Sequence, residues 1–422
     1  MGNFFRVCAL GLCVLLACQP AGAYSLLTHE QLIDLTWQSS IVPLLRGRYP
    51  RITDEQLEEA RSYAYAGCVI QDVGYYPFGD PLLSDLTHYV RTGDFIVHLF
   101  RDAKDANQLA FAVGALSHYV GDNIGHSQAT NRAVAEDFPK LAAKYGPVVA
   151  FGEDPSAHVR TEFGFDINEI AHHRLAPVHY LRHVGLNVPT QQLAAAFYDT
   201  YGLRARARRV NVGGYRFAVR NFIPRIAYAV TLLHRSQMPP DPVTPAMQKL
   251  STEVAQVAVE NNWDKYRKKA GIGTYALAGF IFILPKIGPL KFVAIKAPNH
   301  DTEEEYARSV NQSTDLLGST LVRFRTPHQT LPNRDLDTGT RVRPGGYRLT
   351  DETYAKLLHL LVADPHHTIP PGLKTDIQNY YADPNAPIYT KKKPKDWARV
   401  QADLQVLETM PVSNQPIAAE TD

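Results

Sequence analysis

Thiols are nearly absent from the body of this chain: Cys8, Cys13 and Cys18 lie in the first 18 residues, leaving Cys68 alone thereafter. That excludes an intramolecular disulfide framework and a thiolate metal site in the remainder. A dominant charge sign is also missing. Lys and Arg total 44 against 42 Asp and Glu, a formal balance of +2, so no global field advertises a polyanionic partner. No internal repeat of fixed period is present, which argues against a solenoid, and the alternation of a half-buried strand is scarce. What is there is ordinary globular material: 45% hydrophobic and 20% charged residues suffice for a sizeable core and make disorder the wrong default.

The first residues combine Arg6, an apolar run from Val7 to Ala17 and the small-residue pattern Ala21-Gly22-Ala23. That is the form of a secretory signal peptide, and the run is shorter than the about 20 residues a spanning helix needs. Export to the periplasm or medium is expected, with 1–23 removed and Tyr24 first in the mature chain. A second reading stays open: Leu15-Leu16-Ala17-Cys18 resembles a lipoprotein box, in which Cys18 would be lipidated and become the new terminus.

From His29 to about Arg235 apolar residues recur at three and four, as in EQLIDLTWQSSIVPLL and DEQLEEARSYAYAGCVI, which predicts an all-α, multi-helix domain over 24–236. Four prolines in the nine residues 237–245 predict a linker at 237–247. Residues 248–422 are expected to form a mainly helical extension, with 300–350 containing a long irregular connection. At 422 residues two units are the starting expectation, and one long domain is the alternative.

The chemistry-bearing residues fall in a series: His29, Asp72, His88, His118, Asp122, His126, His158 and Glu162. Imidazole and carboxylate are the groups zinc takes where thiolates are lacking. In SHYVGDNIGH, His118, Asp122 and His126 follow at intervals of four, and AHVRTEFG repeats that interval with His158 and Glu162. On a helix such neighbours project about 40° apart on one face, so a helix offers two ligands to one ion without distortion. One such pair is more often a solvated side-chain contact. The whole ordered series, set among apolar residues that charged groups avoid unless paired or metal-bound, is not explained that way.

The order His, Asp, His, HxxxD, His, HxxxE resembles the ligand series of the bacterial zinc-dependent phospholipase C family, and is similar to that of the zinc nucleases specific for single strands. The resemblance, which covers about 24–235, implies a helical bundle with up to three zinc ions. It implies one ion on Asp72, His88, His118 and Asp122, a second on His126, His158 and Glu162, and a third on Asp122, His29 and the backbone amine and carbonyl of Tyr24. Tyr24 departs from the Trp usual in those families, but the ligands there are backbone atoms. Lipidation at Cys18 would remove the free amine and leave the third ion short of a ligand.

The function this implies is hydrolysis of phosphodiesters, chiefly phospholipid head groups, by a metal-bridging hydroxide formed from a water that Asp72 orients and deprotonates. A single-strand nuclease on the same metals and a non-catalytic zinc-binding surface protein are the competing expectations. Basic residues Lys265 to Lys269 ahead of TYALAGFIFILPKIGPLKFVAI make 265–295 a candidate lipid contact, against a buried helix as the bland alternative. The run Arg204 to Arg209 is a weaker nucleic-acid candidate, because no aromatic platform for bases is evident beside it.

Overall fold

The computed structural model describes residues 25–76, 79–203, 212–284, 294–326, 329–364 and 368–413. The candidate signal segment with Cys18, Tyr24 and the run Arg204 to Arg209 lie outside the described residues, as does 285–293 of the candidate lipid contact. Among the described residues the chain is all-helical, with two isolated β-bridges and no strand.

Helix α1 (Leu26–Thr36) is followed by α2 (Asp54–Gly67). The latter starts on a capping box in which Thr53 and Gln56 satisfy each other's backbone, with Asp54 and Glu55 facing the positive end of the helix dipole. Helices α3 (Pro81–Tyr89) and α4 (Thr92–Asp102) lead to the central α5 (Ala106–Gly125), capped by Asp105. Helix α5 is buried at every residue from Leu109 to Asp122, as expected of the mostly apolar sequence LAFAVGALSHYVGD. It meets α2 at backbone contact. A Cβ on Gly114 would fall 2.1 Å from the Ala64 carbonyl oxygen, and one on Gly67 2.1 Å from that of Phe111, so only glycine lets these helices approach so closely. Helix α6 (Pro155–Ala171), capped by Asp154 with proline in its first turn, completes the set that carries the candidate ligands.

After α7 (Ile223–His234) the proline-rich stretch stays irregular to Thr244, which caps α8 (Pro245–Glu260). Helices α9 (Ile272–Ile283), α10 (His300–Arg323), α11 (Arg348–Val362) and α12 (Pro394–Thr409) follow. One apolar core runs from Leu26 and Leu116 through Tyr306 and Leu317 to Leu357 and Leu407, with α10 lying against α5 and α1. Buried Arg174 ties the parts together. Its guanidinium donates to Glu169 on α6, to Asp241 in the proline-rich stretch and to Glu303 on α10, a paired arrangement that a buried charge demands.

Candidate metal centre

The eight described candidate ligands come from five places in the fold. His29 lies on α1, Asp72 on a 3₁₀ turn (Gln71–Gly74), and His88 at the end of α3. The turn is fixed by the Gly74 N–H donating to Ser84 Oγ at 2.8 Å. His118 and Asp122 lie on α5, His126 opens a π-helical turn at its end, and His158 and Glu162 lie on α6. All eight are at most 3% exposed.

Their ligand atoms gather into three groups, each within 4.8 Å: His29, His118 and Asp122; Asp72, His88 and His118; His126, His158 and Glu162. His118 is thus shared by two groups, whereas the resemblance assigned it to one ion. Asp122 stands between them, with Oδ1 3.2 Å from His29 Nε2 and Oδ2 3.0 Å from His118 Nε2 and 3.5 Å from His88 Nε2. Asp72 Oδ1 is 3.3 Å from His88 Nε2. In the third group Glu162 Oε1 lies 2.8 Å from His158 Nε2 and 3.2 Å from His126 Nε2. The four-residue spacing along α5 explains the division, because His126 sits about 12 Å further along the axis than His118 and so serves a different group.

Six of these atoms converge without a hydrogen-bond partner. Asp72 Oδ1, both Asp122 oxygens, Nε2 of His126 and His158, and Glu162 Oε1 have no hydrogen-bond partner despite their closeness, and the Nε2 atoms of His88 and His118 face each other at 3.4 Å. Buried polar atoms left in that state are costly, and a cation at each convergence would satisfy them. A donor set of imidazole nitrogen and carboxylate oxygen fits zinc. Three of the rings are already set for it: Nδ1–H donates to the carbonyl of Ser84 from His88 (2.8 Å), of Cys68 from His118 (3.0 Å) and of Leu336 from His126 (2.9 Å). Each bond fixes the tautomer that leaves Nε2 as the ligand.

The electrostatics divide the ligands: against burial, Asp122 and Asp72 hold His88 well above the ordinary imidazole value and Asp122 and Glu162 raise His126, so a cation at either displaces a proton, whereas others already favour the ligating form. Burial alone would raise the Asp122 carboxyl, but the imidazoles of His118, His126 and His29 outweigh it and hold it well below the usual carboxylate range. Burial pushes His158 down to about 4 and also lowers His29, aided by His118, so both favour the neutral, ligating form. Burial likewise raises Glu162 well above its ordinary value, only partly offset by His126, so a cation there displaces a proton. His172, His173, His179 and His183, which the spacing left out of the series, belong to none of the three groups. His173, for instance, accepts from Arg267 at 3.1 Å, and His183 stacks on Tyr266.

Residues 28–209 match the family model described as zinc dependent phospholipase C. That segment belongs to the zinc-dependent phospholipase C family. It contains all eight residues of the three groups, so the family's zinc dependence and the clustered donors point to the same chemistry. No curated protein and no solved structure matched the chain. Two kinds of contact at this centre were not placed there by the sequence: the backbone carbonyls that orient the rings, and the buried carboxylate of Asp337, in sequence only a calcium candidate with Asp335 that lacks the remaining ligands, whose Oδ2 accepts from Tyr89 and Tyr347. Nothing in residue type or spacing signals either.

Proposed function

We propose that this chain is an exported zinc-dependent hydrolase that cleaves phospholipid head groups in the manner of a phospholipase C. The observation that carries the reading is the convergence of buried, unsatisfied imidazole and carboxylate atoms in three adjoining groups within the family-matched segment. Asp72, His88 and His118 would hold one ion, and His126, His158 and Glu162 a second. His29 and Asp122, with His118 shared from the first, would hold a third together with the backbone of Tyr24. When bound, zinc neutralises phosphate charge and acidifies water near neutral pH.

The chain's own residues do the rest. Asp72 is the proposed base: its Oδ1 has no hydrogen-bond partner and accepts the proton of the attacking water. The carbonyls of Ser84, Cys68 and Leu336 hold the rings so that no reorientation is needed when substrate arrives. Burial of every ligand keeps bulk water from screening these charges.

The same reading includes a lipid-surface contact through α9. Ala278 and Ile281 are buried, while Ile272 (90% exposed), Tyr275 (60%), Phe282 (69%) and Ile283 (74%) face outward. These positions form one stripe, and no charged residue occurs from Ala270 to Leu284. The bland alternative of a buried helix does not describe such exposure. Lys265, Arg267, Lys268 and Lys269 immediately precede it, which suits an anionic bilayer surface. No described helix is long and apolar enough to cross a membrane, so the contact is interfacial.

One experiment tests both parts. Vesicles of phosphatidylcholine and phosphatidylglycerol should release phosphorylated head group, and this should stop on chelation and return with zinc. Phe282→Asp should lower the vesicle rate by about tenfold, the cost of withdrawing one aromatic side chain from the interface. It should leave hydrolysis of a short-chain, monomeric lipid unchanged. Preferential cleavage of single-stranded DNA would favour the nuclease, and a zinc-loaded protein that cleaves neither would favour a non-catalytic zinc-binding role. An unchanged vesicle rate in Phe282→Asp would remove the lipid contact.

A further inference from the structure

A loop outside the family-matched segment reaches into the metal centre. Residues 333–342 fold back on themselves through the bonds Asp335 N–H to Thr340 O (2.8 Å), Gly339 N–H to Asp335 O (2.8 Å) and Val342 N–H to Asn333 O (3.0 Å). The loop presses on the end of α5: Gly339 has φ +69°, and a Cβ there would fall 2.4 Å from the Asn123 carbonyl oxygen. At its tip, Leu336 is fully buried and Asp337 is 1% exposed. The Leu336 N–H donates to the carbonyl of His88 at 3.1 Å, and the Leu336 carbonyl accepts Nδ1–H of His126 at 2.9 Å. One residue therefore touches a ligand of two different groups.

Asp337 is what keeps that residue in place. Its Oδ2 accepts from Tyr89 Oη at 3.0 Å and Tyr347 Oη at 2.7 Å, and its backbone carbonyl accepts from Asn131 Nδ2 at 2.8 Å. Tyr347 in turn accepts from the Gly152 N–H at 2.7 Å, on the segment leading into α6. The loop is thus pinned from α3, from the turn after α5 and from the approach to α6, the elements that bear the ligands on either side.

We propose that Asp337 is a positioning residue for the metal centre, holding the Leu336 main chain as the clamp that orients His126 and supports His88. The part of the chain beyond residue 209 then sets zinc affinity at the His126, His158 and Glu162 group. Such outer partners typically change metal affinity by about 10–100-fold.

The inference rests on that group holding zinc, so the test is zinc affinity in the full chain, measured by competition with a chromophoric chelator. Asp337→Ala should weaken one class of zinc by about 10–100-fold while the remaining zinc is held as before, because Leu336 orients a ligand ring only at His126 and meets His88 at its main chain, whose ring is held by the Ser84 carbonyl. Asp337→Asn keeps an acceptor for both tyrosine hydroxyls and should recover most of the loss. If Asp337→Ala does not fold, Tyr347→Phe carries the test, with a smaller loss confined to the same class. Wild-type affinity in the variant that carries the test, or a loss in Asp337→Asn equal to that in Asp337→Ala, overturns the clamp. A wild-type chain that binds no zinc fails the functional reading instead, which keeps the two failures apart.

Discussion

His118→Ala is expected to cost the chain zinc at two groups at once and to lower phosphodiester hydrolysis by about a thousandfold or more. His118 belongs both to the group with His29 and Asp122 and to that with Asp72 and His88. It is the ring against which His29 stacks, at 4.1 Å between centroids, and its Nδ1 is anchored on the Cys68 carbonyl. Removing it deletes one donor from each set and loosens the packing of a third ligand. Bound metal contributes several kcal/mol to stabilising charge in such a reaction, and each 1.36 kcal/mol is tenfold in rate. Elemental analysis of the purified variant, beside its turnover, checks this. His158→Ala should cost zinc at one group only, and equal losses in the two variants would contradict the sharing of His118.

Asp72→Asn is the second large effect. The amide keeps the shape of the side chain and one oxygen but cannot take a proton, so the proposed base is removed with little change in packing. Loss of a positioned general base costs about 10²–10⁴ in rate. Turnover should fall by that order after zinc has been restored by excess metal, with the change in kcat rather than KM. Full metal loading with unchanged turnover would exclude Asp72 as the base.

The parts of this centre that were legible in the sequence are those in which chemistry and periodicity coincide. His118, Asp122, His158 and Glu162 sit at helical spacing inside apolar helices, and burial of such groups needs a partner. The all-helical fold follows from the same periodicity, and the four-residue interval even divides His126 from His118. What could not be read is whatever depends on main-chain atoms or on contacts distant in the chain. The carbonyl that orients His126 lies 210 residues away at Leu336, and any residue type would have supplied it. Within 300–350, His300–Arg323 forms α10 and only the Thr-, Pro- and Asp-rich part after it is irregular, and nothing in that composition signals that its tip docks between α3 and α5. Hydrophobicity likewise identifies α9 as apolar without saying which side of it meets protein. Ile281 at 2% exposed and its neighbour Phe282 at 69% have equal claims to burial by composition, and only the packing on α7 separates them.

Three adjoining groups of buried donors should hold zinc for hydrolysis, and zinc stoichiometry on the purified protein, with its N-terminus identified by mass spectrometry, tests this most directly. Three zinc ions on a chain beginning at Tyr24, all removable by chelator together with phospholipid hydrolysis, is the predicted result. Two or fewer on a chain beginning at Cys18 would contradict the third site, and hydrolysis that survives complete removal of zinc would contradict the account as a whole.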